Sequence, residues 1–176
     1  MIPDNTHNHL FEHHDDEIGG YKYVTSLPNL KLEGQVVVIK SGNEDWGGTA
    51  TGDDSNYFVG LQRKGASIES EIKYHETGLS YVVSVEASAR NDYGTDQELK
   101  VSILGVKSEN TGEVSDNTGE ELNYWTDEVP LGSWALIELE FVASKAYSTF
   151  KVVFTNVSPV NKDKTVFLDS FRVKTV

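Results

Sequence analysis

Apolar and polar residues alternate with a period of two along most of the chain. Tyr81, Val83, Val85, Ala87 and Ala89 interleave with Val82, Ser84, Glu86, Ser88 and Arg90. Ile68 and Ile72 interleave with Glu69, Glu71 and Lys73, and Leu99, Val101 and Ile103 with Lys100 and Ser102. Ala135, Ile137, Leu139 and Phe141 oppose Leu136, Glu138, Glu140 and Val142, while Phe150, Val152 and Phe154 oppose Lys151, Val153 and Thr155. Successive side chains of a strand point to opposite faces, so this pattern predicts half-buried strands. With 35–40, 56–62 and 165–173 there are eight predicted strands. They are separated by turn clusters at 42–44, 52–55, 91–94 and 161–164. No amphipathic helix is predicted. The expected fold is all-β, an antiparallel β-sandwich, in form a jelly roll of about eight or more strands.

Two stretches break the alternation. Residues 1–34 read as a lead-in with one short strand near Phe11. Residues 1–7 are expected to be a mobile N-terminal arm before a single domain over 8–176, so deleting them should shift the melting midpoint only slightly. Residues 105–128 contain a short echo, 109–113 against 116–120, and read as a long hairpin or an exposed loop.

The last strand carries the most pointed chemistry. Strand alternation places Phe167, Asp169, Phe171 and Val173 on one face, apolar except for Asp169. A buried carboxylate needs a backbone N–H, a basic side chain or a metal ion beside it. At the other end of the chain, Glu12 is a second acid in an apolar setting, after Leu10 and Phe11.

Composition narrows the function. At 176 residues the chain can bury a core of its own, and 38% hydrophobic with 24% charged residues is ordinary for a globular domain. No apolar run approaches the roughly 20 residues that span a bilayer, so no membrane insertion is expected. The polar, His-rich start is not a signal peptide. There are no cysteines, so no feature depends on a redox compartment. A formal net charge of −13 argues against nucleic acid as a partner and is compatible with neutral ligands and cations. His7, His9, His13 and His14, with Asp15 and Asp16, are metal-like by type, but their spacing matches no closed site and they read as a polar arm.

Several pieces, in order, carry a family resemblance: Asn8-His9-Leu10-Phe11-Glu12, Gly34-Gln35-Val36-Val37-Val38-Ile39, Asn56-Tyr57-Phe58-Val59-Gly60-Leu61, residues 66–72, 78–90 and 98–103, Trp134, and Phe167-Leu168-Asp169-Ser170-Phe171-Arg172-Val173. Over most of residues 8–173 the chain resembles the galactose-binding-like jelly-roll superfamily, of carbohydrate-binding-module type. Within it, the closest likeness is to a plant cell-wall family of unknown function with tandem domains of this fold. The chain departs from that plant family in having no cysteines, no signal peptide and one domain. These departures argue against a plant cell-wall location, and a similar standalone domain is expected in an extracellular, cell-surface or virion setting. Many relatives of this fold hold a structural calcium between an acid near the start and an acid in the last strand. Glu12 and Asp169 match those positions, with carbonyl donors expected near Glu33 and Asn56. The resemblance thus implies Ca2+ bound by oxygen ligands.

The resemblance also implies a glycan or polysaccharide partner, for which exposed aromatic rings are the expected contacts. Trp46 sits in a glycine-flanked loop, Tyr124 and Trp125 lie together among acids and amides, and Tyr93 sits in a turn. Loops at one end of a sandwich would bring these rings together. Arg90 shares a strand face with Glu86 and Ser88 and can serve a ligand or pair with Glu86. Trp134 reads as core. No nucleophile elbow, phosphate loop or standout carboxylate pair among the 28 acids marks an enzyme. The expected function is a non-catalytic carbohydrate-binding or surface-attachment module. The alternative is a structural or assembly protein of a virion, capsid or filament, partnered by other subunits.

Overall fold

The structure is a computed structural model that describes residues 20–51, 57–72, 76–95, 97–107, 119–159 and 163–176. Phe11, Glu12, Asn56, the histidine cluster, the arm over 1–7 and most of the internal echo lie outside the described residues.

Among the described residues there are nine strands: β1 (Tyr21–Val24), β2 (Leu30–Lys40), β3 (Tyr57–Ile72), β4 (Ser80–Ala89), β5 (Glu98–Val106), β6 (Glu120–Glu128), β7 (Ala135–Val142), β8 (Thr149–Asn156) and β9 (Thr165–Thr175). All the strand pairings are antiparallel. The predicted strands at 56–62 and 68–72 are one long strand, β3. Its first half pairs with β9 and its second half with β8, while β2 runs beside both halves. The bend falls at Arg63 and Gly65, with φ of 69° and 90°, and it switches the inward face from Val59 and Leu61 to Ala66 and Ile68. Strand β2 bends alongside at Gly34, where a Cβ would come within 2.9 Å of the Ala66 Cα. Sharing β2 and β3 produces two sheets. One has the order β7-β4-β9-β3-β2-β1, the other β6-β5-β8-β3-β2. This is the all-β jelly roll that the alternation predicts.

The inward rows of both sheets form one core. Phe150, Phe154, Phe171, Tyr81, Ile68, Leu99 and Ile103 are fully buried in it. A second, smaller cluster lies on the outer face of the β1-containing sheet. There Val37, Ile39, Phe58 and Phe167 are covered by the 41–51 loop through Trp46, with Trp134 packed alongside. A period-two strand covered on both faces loses its polar side, and this is why β2 reads Val-Val-Val-Ile in sequence.

Strand β1 lies where the sequence predicts only a lead-in. β6 pairs antiparallel with β5 over its whole length, which is the long hairpin of the two forms expected for residues 105–128, so Tyr124 and Trp125 belong to a strand and point to opposite faces. In β9 Asp169 does not share a face with Phe171 and Val173, contrary to the strict alternation. Ser170 adopts φ of 52°, and the pairing with β4 shifts register nearby. This extra residue reverses the alternation. Val166, Leu168, Phe171 and Val173 face the main core, while Phe167 and Asp169 face the other side.

Candidate functional site

The outer face of the six-stranded sheet carries a contiguous group of aromatic and polar side chains near the end of β4. At its centre is Arg90, the residue after β4, whose side chain is 8% exposed. Its guanidinium is sandwiched, with Cζ 4.5 Å from the Trp46 ring and 4.2 Å from the Tyr93 ring. Around the edge, Nε donates to Asp92 Oδ1 at 2.7 Å, and Nη2 donates to Asp92 Oδ2 at 3.2 Å and to the Asp45 carbonyl at 2.8 Å. Nη1 faces Asp163 Oδ2 at 3.6 Å. Planar stacking and in-plane donors at once are what a guanidinium permits and an ammonium does not.

Local structure explains how these groups meet. The turn at 44–46 is capped by Asn43, whose side chain accepts from the Asp45 N–H at 3.0 Å, and it ends at Gly47 in the left-handed region. Gly47 abuts the second turn, 91–93, because a Cβ there would lie 2.2 Å from Asn91 Oδ1. The two turns therefore hold Trp46 and Tyr93 on either side of Arg90.

Strand β1 adds the outer wall. Tyr21 and Tyr23 stand opposite Ile39 and Val37 and so share their face. Both rings meet Trp46 edge-on, at centroid distances of 5.6 and 6.3 Å, and they meet each other at 6.2 Å. The Tyr23 hydroxyl donates to Gln62 Oε1 at 2.6 Å, and Gln62 Nε2 donates to Asp163. Burial holds the Tyr23 hydroxyl above the usual tyrosine value, and the Asp163 charge adds to this. The Gln62 hydrogen bond and Arg90 oppose it. The result is a rim of tyrosines, Tyr21, Tyr23 and Tyr93, at 40%, 49% and 43% exposure, around a pinned cation.

The residues expected to bind ligand are thus distributed unevenly. Arg90, Tyr93 and Trp46 come together. Trp46, expected as an exposed stacking face, is instead buried, because Tyr21, Tyr23 and Arg90 cover its ring. Arg90 pairs with Asp92 and Asp163 rather than with Glu86. Tyr124 and Trp125 do not join this group. Trp125 packs on the main core, while Tyr124 lies 54% exposed on the outer face of the other sheet, with Lys100 Nζ 5.2 Å from its ring centre. Trp134 packs on the smaller cluster and donates to the Ala50 carbonyl at 2.8 Å. A depression on the second sheet, lined by Lys31, Glu33, Ser67, Glu69 and Val153, encloses only 90 Å³, well under the roughly 300–1,000 Å³ of ordinary ligand pockets.

Tyr21, Tyr23, Gln62 and Asp163 are not among the candidates that the sequence singles out. The alternation Tyr21-Lys22-Tyr23-Val24 is a legible strand signal for the first two. Gln62 and Asp163 carry no local signal.

Asp169 is 4% exposed and stands directly opposite Glu86 across β4 and β9. Among the described residues no group of three or more His, Cys, Asp or Glu is placed to hold a metal ion.

No family model matches the chain, and no curated protein matches it. Solved structures do. A family 61 carbohydrate-binding module in complex with β-1,4-galactotriose matches with a TM-score of 0.55 at 15% identity, over 85% of this chain and 90% of that one. The CBM22-1–GH10 modules of a Clostridium thermocellum endo-1,4-β-D-xylanase, complexed with xylohexaose, match at 0.54 and 18%, over 98% of this chain and 28% of that one. The enzymatically active domain of bacteriophage CBA120 tailspike protein 4 matches at 0.57 and 11%, over 98% of this chain and 21% of that one. The chain therefore spans most of the first and only a fifth to a quarter or so of the other two. It shares with these structures the antiparallel jelly-roll fold.

Proposed function

We propose that the protein is a non-catalytic carbohydrate-binding module whose glycan lies against Tyr21, Tyr23 and Tyr93. The observation that carries this reading is the rim of half-exposed tyrosines around Arg90. Tyrosine rings offer apolar faces to the C–H surface of a sugar and lose little entropy on binding. Asp92, Asp163 and Gln62 lie beside them as hydrogen-bonding partners for hydroxyls. Arg90 works from below, fixing the angle of the rings and acids. The fold shared with modules solved in complex with galactotriose and xylohexaose supports the same reading.

The test is a glycan-array screen followed by calorimetry with the best oligosaccharide. Truncating a central aromatic in an interface often costs about 2 kcal/mol, near thirtyfold in affinity. Tyr93→Ala should weaken binding by about that factor with little change in melting temperature, and Tyr23→Ala should weaken it as much with some loss of stability, since Tyr23 also covers Trp46 and bonds Gln62. Wild-type protein that binds no glycan, or variants that bind as wild type does, would overturn the site.

A structural calcium belongs to the same proposal. Glu86 stands opposite the buried Asp169 in the β4–β9 register, which brings two carboxylate-bearing positions together. A hard divalent cation there would take oxygen ligands from both acids and from main-chain carbonyls. Glu12, the other acid expected there, lies outside the described residues.

The tailspike likeness favours a second reading, an assembly subunit of a virion. Light scattering after size-exclusion chromatography separates the two, since a glycan-indifferent assembly supports the second reading and a glycan-binding monomer the first.

A further inference from the structure

We infer that Lys164 is a positioning residue for the glycan face, holding the 91–95 turn so that the Tyr93 ring covers Arg90. This rests on the glycan-binding reading above. Lys164 is a charged residue only 8% exposed. Its ammonium donates to the Tyr93 carbonyl at 2.8 Å and to the Thr95 carbonyl. Those two carbonyls converge because Gly94 between them adopts φ of 74°. A Cβ on Gly94 would lie 3.7 Å from the ammonium, so the lysine fills the hollow of the turn. Converging carbonyls repel one another, and a cation between them stabilises the turn.

The lysine is itself anchored at its main chain. Its carbonyl accepts from Asn156 Nδ2 at 2.7 Å, and Asn156 is fully buried, and also from the Arg63 N–H at 3.2 Å. The flanking residues point the same way. Asp163 contacts Gln62 and Arg90, and the Thr165 carbonyl accepts from the Arg90 N–H at 3.1 Å. Three consecutive residues of one segment thus touch the site from beneath, and Lys164 alone reaches the turn that carries Tyr93.

The chain has no cysteine, so Lys164→Cys creates a single thiol that 2-bromoethylamine converts to an ammonium of nearly lysine length. Affinity for the oligosaccharide selected by the wild type should fall about tenfold or more in Lys164→Cys, since two charge-assisted hydrogen bonds are lost. Aminoethylation should restore it to within about threefold, and capping with neutral iodoacetamide should not. A merely structural lysine would show no such dependence on charge. The second readout is 19F NMR of 3-fluorotyrosine at position 93. Its shift should move toward that of free fluorotyrosine in Lys164→Cys and return on aminoethylation. If Lys164→Cys does not fold, Lys164→Gln, which keeps one neutral donor, takes its place, and the same loss of affinity and shift are expected. Wild-type affinity or an unmoved 19F signal in the folded variant overturns the inference while the glycan reading stands. A wild type that binds no glycan overturns the glycan reading, and the 19F signal still decides whether Lys164 sets Tyr93.

Discussion

Trp46 and Tyr93 sit on opposite faces of one guanidinium, yet burial gives them different roles. Trp46, at 3% exposure, also packs over Val37, Ile39, Phe58 and Phe167. Trp46→Ala should therefore lower stability by about 3–5 kcal/mol, as large aromatic truncations in cores do, read as a large drop in denaturant midpoint. Tyr93→Ala should leave that midpoint near wild type and show itself in binding. A Trp46→Ala protein as stable as wild type would mean that its ring does not support the outer layer. Tyr23 makes a further prediction, about pH. The native state holds its proton more tightly than the unfolded chain, because burial disfavours the phenolate. The contribution to stability is then complete below the ordinary tyrosine range and is lost as pH rises through the native value. A difference absorbance titration of wild type against Tyr23→Phe should place this ionisation above that of a free tyrosine. An ionisation at or below the ordinary value would show that the hydroxyl is solvated.

Elements are joined at positions where side chains would not fit. Gly105 in β5 lies under the Tyr147 ring, and a Cβ there would come within 2.7 Å of ring atoms. Tyr147 in turn meets Phe150 edge-on at 6.0 Å. Gly105→Ala must push the ring aside and should cost about 1–3 kcal/mol. Adding Tyr147→Ala should make the alanine at 105 nearly neutral, because the clash is then gone. Equal costs in both backgrounds, measured by a double-mutant cycle, would rule this packing out. The bend in β3 has the same character. One strand serves both sheets because Arg63 and Gly65 accept left-handed backbone angles, and the glycine does so without steric cost.

For the whole molecule, the proposed calcium joins β4 to β9, two inner strands of the six-stranded sheet. A ligand that binds only the native state stabilises it by mass action, by about 2.7 kcal/mol at a hundred times its dissociation constant. Chelation should lower the melting temperature, and Asp169→Ala should abolish the difference. Equal melting curves with and without chelator, once metal analysis has shown removal, would exclude the site. The net charge of −13 gives the divalent cation a favourable long-range field as well.

The fold class was legible in the sequence because burial of one strand face writes itself as alternation. Tyr81 to Ala89, Leu99 to Ile103 and Phe150 to Phe154 show this directly. Alternation says nothing about where it reverses. Ser170 turns Asp169 away from Phe171 by a backbone angle that serine rarely adopts, and no neighbouring residue announces it. Arg90 and Tyr93 could be singled out from sequence as polar and aromatic residues near a strand end. Their union with Tyr21, Tyr23, Gln62, Asp163 and Lys164 could not. Those residues lie in segments far apart along the chain, and only the pairing of β1 with β2 and of β3 with β9 brings them to one face. Sequence alone determined which residues are apolar and at what period. Tertiary structure decided which face each half-strand presents and which rings stay exposed, because those depend on bends and bulges set by long-range packing.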